Sequence, residues 1–101
     1  DVYIVNPDSF IGYMDLDVIE KTIQIRSAKS GDKFAPLGMD GKTMKLTDFW
    51  INKKIPKMAR ENWPVVTSGK KIIWLPGFMP SHDSRITAET ETVAVFQLIR
   101  E

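Results

Sequence analysis

Short runs of alternating apolar and polar residues predict strands near both ends of the chain. Ile23-Gln24-Ile25-Arg26 alternates as a half-buried strand does, and residues 10–14 form a weaker candidate. Residues 92–99 are rich in β-branched and aromatic types, which suit a pleated surface. The apolar run at 71–75 ends at Pro76-Gly77 and is preceded by residues 65–67. The turn residues between the runs at 65–67 and 71–75 predict a hairpin.

The middle of the chain has helical spacing. Leu46, Phe49 and Trp50 recur at i, i+3 and i+4, which predicts one apolar stripe on a helix over residues 44–53. Pro56 must interrupt this helix, since it has no N–H, and it suits the first position of a second helix over 56–62. The pattern therefore predicts a strand-rich domain with a central short helical hairpin that bears most of the basic charge.

Charge is distributed unevenly along the chain. The net charge is +1 overall, but it is −4 over residues 1–25, +7 over residues 26–71 and −2 over residues 72–101. A middle segment this basic favours an anionic partner such as a nucleic-acid backbone, although a fold can also scatter such charges over several faces as a solvated surface.

Composition limits the number of domains, the kinds of metal or disulfide site, and the location of the chain. The 101 residues suffice for one domain, so residues 1–101 are treated as a single unit. The absence of cysteine excludes disulfides and thiolate metal sites and favours a cytoplasmic location, and a single histidine excludes a multi-histidine metal site. No apolar run is long enough to span a bilayer, so we expect no membrane association.

Two short motifs resemble catalytic sites but fail on spacing. Gly41-Lys42-Thr43 lacks the glycine that a phosphate loop needs five positions before Gly41, so it reads as a turn with Thr43 as a helix N-cap. Residues 81–84, Ser-His-Asp-Ser, contain the residue types of a hydrolase triad, but adjacent side chains cannot align as one and a loop is favoured. Asp15 and Asp17 have too few oxygen neighbours for a cation site. We predict no catalytic residue and no metal ligand in this chain.

A long turn-rich loop follows the strand at 23–26. Residues 26–41 hold three glycines and a proline, and we expect Phe34 and Leu37 to be the two buried anchors of the loop. Such loops are commonly functional, and a packed connection is the alternative.

This loop and the segments after it resemble the C-terminal domain of the bacterial tRNA(Ile)-lysidine synthetases. The family has an arginine on a strand, a Gly-Asp-x-Phe-x-Pro-Leu-Gly-Met loop, a Lys-Leu-x-Asp-Phe helix, a Lys-x-Pro-x-x-x-Arg turn, an Ile-x-Trp strand and a closing arginine with threonines. The matching residues are Arg26, Gly31–Met39, Lys45–Asn52, Lys54–Lys57 with Arg60, Pro64-Val65, Ile72–Gly77, and Arg85 with Thr87 and Thr90. The likeness covers residues 15–99. It departs from the family at Met79 and Asp83, where arginines are usual.

The resemblance implies an α+β, β-rich fold, a compact β-sandwich-like module with a central short helical hairpin, similar to a domain of the phenylalanyl-tRNA synthetase β-subunit. It also implies a non-catalytic module that grips tRNA(Ile), notably its acceptor stem, and contacts the other domains of its enzyme, while a separate N-terminal domain uses ATP and Mg to ligate lysine to the anticodon cytidine. No cofactor is then expected in this chain, which alone should be inactive. Duplex RNA is recognised largely through phosphates and shape, a task for lysine and arginine. The predicted RNA-binding residues are Arg26, Lys29, Lys33, Lys42, Lys45, Lys53, Lys54, Lys57 and Arg60.

Six aromatic and aliphatic residues are assigned to the core in preference to base stacking, because each lies on an apolar pattern. They are Phe34, Leu46, Phe49, Trp50, Trp63 and Trp74.

Two other binding classes compete with this interpretation. A DNA-binding helix-turn-helix would need a long second helix, and Pro64 leaves only a short one, so no DNA partner is predicted. A protein–protein or interdomain interaction module without direct RNA contact is the stronger alternative. Salt dependence separates the two, since phosphate binding weakens steeply with salt and an apolar interface does not.

Overall fold

The computed structural model describes residues 10–19 and 22–99, which form eight strands, two short α-helices and two single-turn 3-10 helices. Residues 1–9, 20, 21, 100 and 101 lie outside the described part. The strands are β1 (Ile11–Asp15), β2 (Ile23–Ser27), β3 (Lys33–Phe34), β4 (Met44–Lys45), β5 (Pro64–Ser68), β6 (Lys71–Leu75), β7 (Met79–Pro80) and β8 (Val93–Gln97). The α-helices are α1 (Leu46–Asn52) and α2 (Lys57–Arg60), and the 3-10 helices span Leu16–Val18 and His82–Ser84.

A four-stranded antiparallel sheet in the order β2-β5-β6-β7 forms the middle layer. The predicted hairpin is confirmed: β5 and β6 pair antiparallel around Gly69 and Lys70, with Ser68 opposite Lys71. Gly69 has a φ of 60°, the left-handed value that the first central residue of a two-residue hairpin turn of type II′ requires. The five strands predicted from sequence are all present, with ends that agree to within two residues.

A β-bulge explains how consecutive apolar residues on β6 serve both faces of this sheet. Val66 pairs with Trp74, whereas Thr67 pairs with Ile72, so Ile73 is an extra residue on β6. The side chains of Ile72 and Leu75 consequently pack in one cluster, and Ile73 and Trp74 pack in the other. Simple alternation of period two would have placed Ile73 and Leu75 together.

One face of the sheet is covered by α1. The predicted stripe of Leu46, Phe49 and Trp50 is confirmed, and all three side chains are buried. Phe34, Val65, Ile72 and Leu75 belong to the same first cluster, in which the rings of Phe34 and Phe49 meet edge to face. Trp63, predicted as core, is only half-buried; its ring packs beside Trp50 and its indole Nε1 donates to the Pro76 carbonyl at 2.9 Å.

Both helices are shorter than predicted. The N-cap of α1 is Lys45, not Thr43, because residues 44 and 45 pair with β3 and the helix starts only after that ladder. Pro56 is the N-cap of α2 and precedes its first turn, and the helix ends at Arg60 rather than at residue 62. The helical hairpin therefore begins later and its second helix is shorter than predicted.

The opposite face of the sheet is covered by β1 and β8, which form an antiparallel pair. Met14 and Trp74 are buried between the two sheets, with Phe96 and Leu98 packed against them. Asp15, at the end of β1, accepts hydrogen bonds from the Asp17 amide and the Thr90 hydroxyl. Its carboxylate therefore has a structural role, as predicted.

The turn-rich loop is held by backbone bonds to three other segments. The Ala28 amide donates to the Trp63 carbonyl, the Leu46 amide to the Asp32 carbonyl, and the His82 amide to the Ala35 carbonyl. Phe34 is a buried anchor as predicted, but the prediction for Leu37 is wrong: this side chain is exposed in a turn that Gly38 continues with a positive φ. Among the described helices, none is long and apolar enough to cross a membrane.

Candidate nucleic-acid interface

The predicted RNA-binding residues are spread over several parts of the fold. Arg26 lies on the edge strand β2, Lys29 and Lys33 follow it in the loop and on β3, Lys42 lies in a turn, and Lys45 is on β4. Only four of the eleven basic residues of the 26–71 segment belong to the turn between the helices or to α2, so the prediction that the helical hairpin bears most of the basic charge is wrong. Those four are close neighbours along the chain, in the turn after α1 and on α2. We call Lys53, Lys54, Lys57 and Arg60 the basic elbow.

Arg26 is already bonded to a partner within the loop. Its guanidinium donates to both carboxylate oxygens of Asp32 at 2.9 Å and to the Ser27 carbonyl at 3.1 Å. The Lys29 amide also donates to Asp32 at 2.9 Å. The hydrogen bond to Asp32 raises the pKa of Arg26. Arg26 thus joins the strand to the loop, and its role toward RNA stays a prediction.

Burial and hydrogen bonding act on Asp32 in opposite directions. Desolvation by burial would raise the pKa of its carboxyl, but the hydrogen bonds from Arg26 and from the Lys29 amide outweigh it, so the pKa lies below the ordinary value. Because folding lowers the pKa of this carboxyl, its ionised form stabilises the folded state. The stabilisation is fully present at pH values above the pKa of the unfolded state, near 3.9. That stabilisation is lost as the pH falls through the lower folded value.

Asp32→Asn should reduce the free energy of unfolding by about 1–3 kcal/mol at neutral pH, because it leaves the Arg26 guanidinium without its charged partner. The difference from the parent chain should shrink as the pH falls below about 3.9. Denaturant melts of both chains across this range measure it. Asp40→Asn, at an exposed carboxylate with no ion pair among residues 10–19 and 22–99, is the matched control. Parallel pH curves for Asp32→Asn and the parent would contradict this assignment.

The basic elbow begins with a Schellman motif at the end of α1. The Lys54 amide donates to the Ile51 carbonyl and the Ile55 amide to the Trp50 carbonyl, both at 3.0 Å. Lys54 occupies the left-handed position of this motif, with a φ of 58°. Glycine is the residue that this position favours, and a residue with a Cβ is strained there. The chain therefore places a lysine at a position where the backbone conformation favours glycine.

The four cations of the elbow have no acidic partner in the part of the chain that the structure describes. Lys53, Lys54 and Lys57 are exposed, and within residues 10–19 and 22–99 none of the four forms an ion pair. Lys53 Nζ lies 5.7 Å from the centroid of the Phe49 ring, a cation–π distance. The Arg60 Nε is buried and has no hydrogen-bond partner in the described structure. Lys54 and Lys57 are therefore free to present their charge to solvent, whereas the charge of Lys53 lies at cation–π distance from Phe49.

Lys33 and Lys45 form a second basic group. They are directly opposite each other on the two-residue ladder of β3 and β4. Like charges at such positions destabilise a sheet. Lys45 is also the N-cap of α1 and makes no capping hydrogen bond with its side chain. Both placements are unfavourable for the fold alone.

The Ser-His-Asp-Ser segment serves the fold. Residues 82–84 form a 3-10 helix rather than an open loop, and Ser81 caps it by accepting from the Ser84 amide at 3.3 Å. The two serine hydroxyls are 2.8 Å apart, and that of Ser84 donates to the Ile73 carbonyl. Both are buried. In the part of the chain that the structure describes, no three acidic or histidine side chains are grouped to hold a metal ion.

The predicted site lacks two lysines of the basic middle segment. Lys70 and Lys71 belong to that segment but are not among the predicted RNA-binding residues. In the structure they line an open cleft together with Lys33. Only tertiary packing brings β3 beside β6.

These features define a β-rich module with basic groups concentrated on a few exposed segments, the class of domain suited to an anionic partner. Comparison with known proteins specifies it further. The family model for the TilS substrate C-terminal domain matches residues 23–96. The tRNA(Ile)-lysidine synthase of Caldanaerobacter subterraneus is 38% identical over 96 residues, which cover 95% of this chain and 20% of that protein. The chain belongs to the family of C-terminal domains of tRNA(Ile)-lysidine synthases.

Solved structures show the same fold. The crystal structure of a TilS C-terminal domain superposes with a TM-score of 0.73 at 24% identity, covering 96% of this chain and 76% of that one. An N-terminal fragment of the phenylalanyl-tRNA synthetase β-subunit from Pyrococcus horikoshii superposes with a TM-score of 0.67 at 27% identity, covering 84% of this chain and 26% of the fragment. The predicted fold class and likeness are confirmed. The chain spans about a fifth of the length of the curated relatives it matches.

Proposed function

We propose that this chain is the tRNA-binding module of a tRNA(Ile)-lysidine synthase and that it grips the acceptor stem of tRNA(Ile) through the sugar-phosphate backbone. The ATP-dependent ligation of lysine belongs, in this proposal, to the rest of the synthase. The single observation that carries it is the basic elbow, four neighbouring cations without an acidic partner among the described residues. Lysine binds phosphate as a point charge, without reading sequence.

Lys54 supports the proposal independently of net charge. Its left-handed backbone costs about 1–2 kcal/mol relative to a position that tolerates a Cβ, and glycine would relieve this cost. A strained residue that persists where an unstrained one is available suggests that its side chain is needed. An ammonium directed to solvent beside Lys53 and Lys57 has no evident use in folding and an evident one in phosphate binding.

Lys54→Gly should therefore raise stability and weaken RNA binding at the same time. Relief of strain, less the greater entropy of an unfolded glycine, should add about 0.5–1 kcal/mol to the free energy of unfolding. Removal of one phosphate-binding cation should lower affinity for an acceptor-stem RNA hairpin roughly five- to eightfold at about 0.1 M salt. Denaturant melts and fluorescence anisotropy measure the two effects.

Asp40→Gly is the matched control. Asp40 is the other non-glycine residue with a positive φ among residues 10–19 and 22–99, at 54°, and it is exposed and acidic. This variant relieves the same backbone conformation, with a smaller gain in stability because aspartate tolerates that conformation better than lysine does, and should show no loss of RNA affinity. If Lys54→Gly binds RNA as tightly as Asp40→Gly does, the elbow is not part of the interface.

Contact with the rest of the synthase is the second candidate function. Ile25 and Val95 are exposed, at 62% and 57%, along a groove of about 430 Å³ whose floor includes Trp74. An apolar groove of this kind suits a protein surface better than phosphate. A domain with this role alone would show no salt-dependent affinity for RNA in the same anisotropy assay.

A further inference from the structure

An open cleft of about 570 Å³ lies at the turn end of the β5–β6 hairpin. It is bounded by β3, by the hairpin turn and by the 3-10 helix of His82–Ser84. Lys33, Lys70 and Lys71 line it, and all three are exposed. The elbow adjoins the other end of this hairpin, where Trp63 precedes β5, so the strand length of five residues separates the two by roughly 17 Å.

The hairpin turn holds two of these lysines next to each other. Because the loop contains only Gly69 and Lys70, the backbone reverses tightly and Lys71 immediately resumes the ladder opposite Ser68. A two-residue turn has little conformational freedom, so these ammonium groups are presented from a rigid base. The backbone that carries these lysines therefore loses little conformational entropy when an anion binds.

The floor of the cleft offers few groups that could read a base. Its three serines, Ser68, Ser81 and Ser84, are buried; the hydroxyls of Ser81 and Ser84 are bonded to each other, and that of Ser84 also donates to the Ile73 carbonyl. Its one aromatic side chain among the described residues, Phe34, is 2% exposed and cannot stack on a nucleobase. The lysines are therefore the groups that can bind a ligand here, and their charge favours a phosphate.

One carboxylate opposes this charge. Asp83 also lines the cleft, and its Oδ2 lies 4.0 Å from Lys71 Nζ. The two side chains are 62% and 77% exposed, so the pair contributes little and is screened by salt. Three lysines against one acid leave the cleft with a net positive charge.

Further basic residues lie between the cleft and the elbow along the chain. Lys33, at the cleft, stands opposite Lys45, which immediately precedes α1, and Lys53 immediately follows that helix. A helix of seven residues spans roughly 10 Å. A bound anionic backbone would also relieve the repulsion between Lys33 and Lys45.

We infer that the cleft lined by Lys33, Lys70 and Lys71 is a second phosphate site for the RNA backbone, separate from the basic elbow. The inference rests on the proposed function and extends it to the turn end of the hairpin. Phosphodiester and free phosphate share the chemistry that these lysines recognise, and the cleft takes the phosphodiester of a bound RNA.

The test compares salt dependence of binding for variants of the 101-residue chain. Lys70→Gln combined with Lys71→Gln should lower affinity for an acceptor-stem RNA hairpin roughly 25- to 60-fold at about 0.1 M salt, and lower the slope of log K against log salt by roughly 1.4–1.8. Asp83→Asn should raise affinity. Arg85→Gln removes an exposed cation outside both groups and should leave the slope unchanged. Thermal melts confirm that each variant is folded.

Amide chemical shifts then locate the site. The RNA hairpin should shift the amides of Gly69, Lys70 and Lys71, and inorganic phosphate should shift the same amides more weakly. Shifts with inorganic phosphate but none with RNA would overturn the assignment to the RNA backbone. A double variant that binds like Arg85→Gln, while the elbow variants lose affinity, would overturn the cleft and leave the proposed function standing. If neither group of variants lost affinity for RNA, both the cleft site and the proposed function would be contradicted.

Discussion

Replacing Trp74 by alanine is expected to reduce the free energy of unfolding by about 3–5 kcal/mol, the range for deleting a buried aromatic side chain. Trp74 is 2% exposed and lies between the two sheets, with its ring centroid 6.2 Å from that of Phe96. The packing is close enough that a Cβ added to Gly12 would lie 2.8 Å from the indole. Small domains have about 5–15 kcal/mol of stability in total, so the loss is a large share of it.

Equilibrium denaturation followed by circular dichroism measures this loss without relying on the deleted fluorophore. Val95→Ala is the control, since Val95 lies on the neighbouring strand β8 and is 57% exposed; its loss should stay within about 0.5 kcal/mol. A loss below about 1 kcal/mol for Trp74→Ala would show that the indole is not packed as described and would reopen a role in base stacking.

Removing the basic elbow should have the largest effect on RNA binding. Lys53→Ala, Lys54→Ala, Lys57→Ala and Arg60→Ala combined should lower the slope of log K against log salt by roughly 0.7–0.9 for each phosphate that the variant no longer neutralises. If each of the four residues binds one phosphate, affinity at about 0.1 M salt should fall by roughly three orders of magnitude. Unrelated tRNAs should be affected equally, because binding to the backbone carries no sequence information.

Two further variants control for the possibility that the quadruple substitution changes the fold. Arg60 is half-buried, so the three lysine substitutions alone are measured beside the quadruple variant. Met58→Gln alters the exposed apolar side chain of α2, at 88%, without changing charge, and should leave the salt slope intact. If the quadruple variant kept both its affinity and its slope, the footprint would lie on the loop from Arg26 to Lys42 or in the cleft.

Local sequence patterns were sufficient for the longer elements. Alternation predicted β2, residue type predicted β8, the turn at Gly69 predicted the hairpin, and the spacing of Leu46, Phe49 and Trp50 predicted both α1 and its buried face. Each of these depends on neighbours within a few residues, since side-chain period and turn conformation are local properties. The motifs of the family, which cover most of the chain, added the likeness that the comparisons confirmed.

Tertiary structure decided the rest. The strands β3, β4 and β7 have two residues each, too few to show a period; β3 and β4 pair across the connection formed by residues 35–43, and β7 pairs with the end of β6 across a short turn. The pairing of β3 with β4 moved the N-cap of α1 from Thr43 to Lys45.

The arrangement of charge was also decided by packing. The sequence determined that residues 26–71 are basic, but not that Arg26 is bonded to Asp32, that Lys33 faces Lys45, or that the hairpin turn joins a cleft. Charge is additive along a chain, whereas the field at a surface depends on which side chains the fold places together. That placement depends on packing between residues far apart in sequence, which no local pattern encodes.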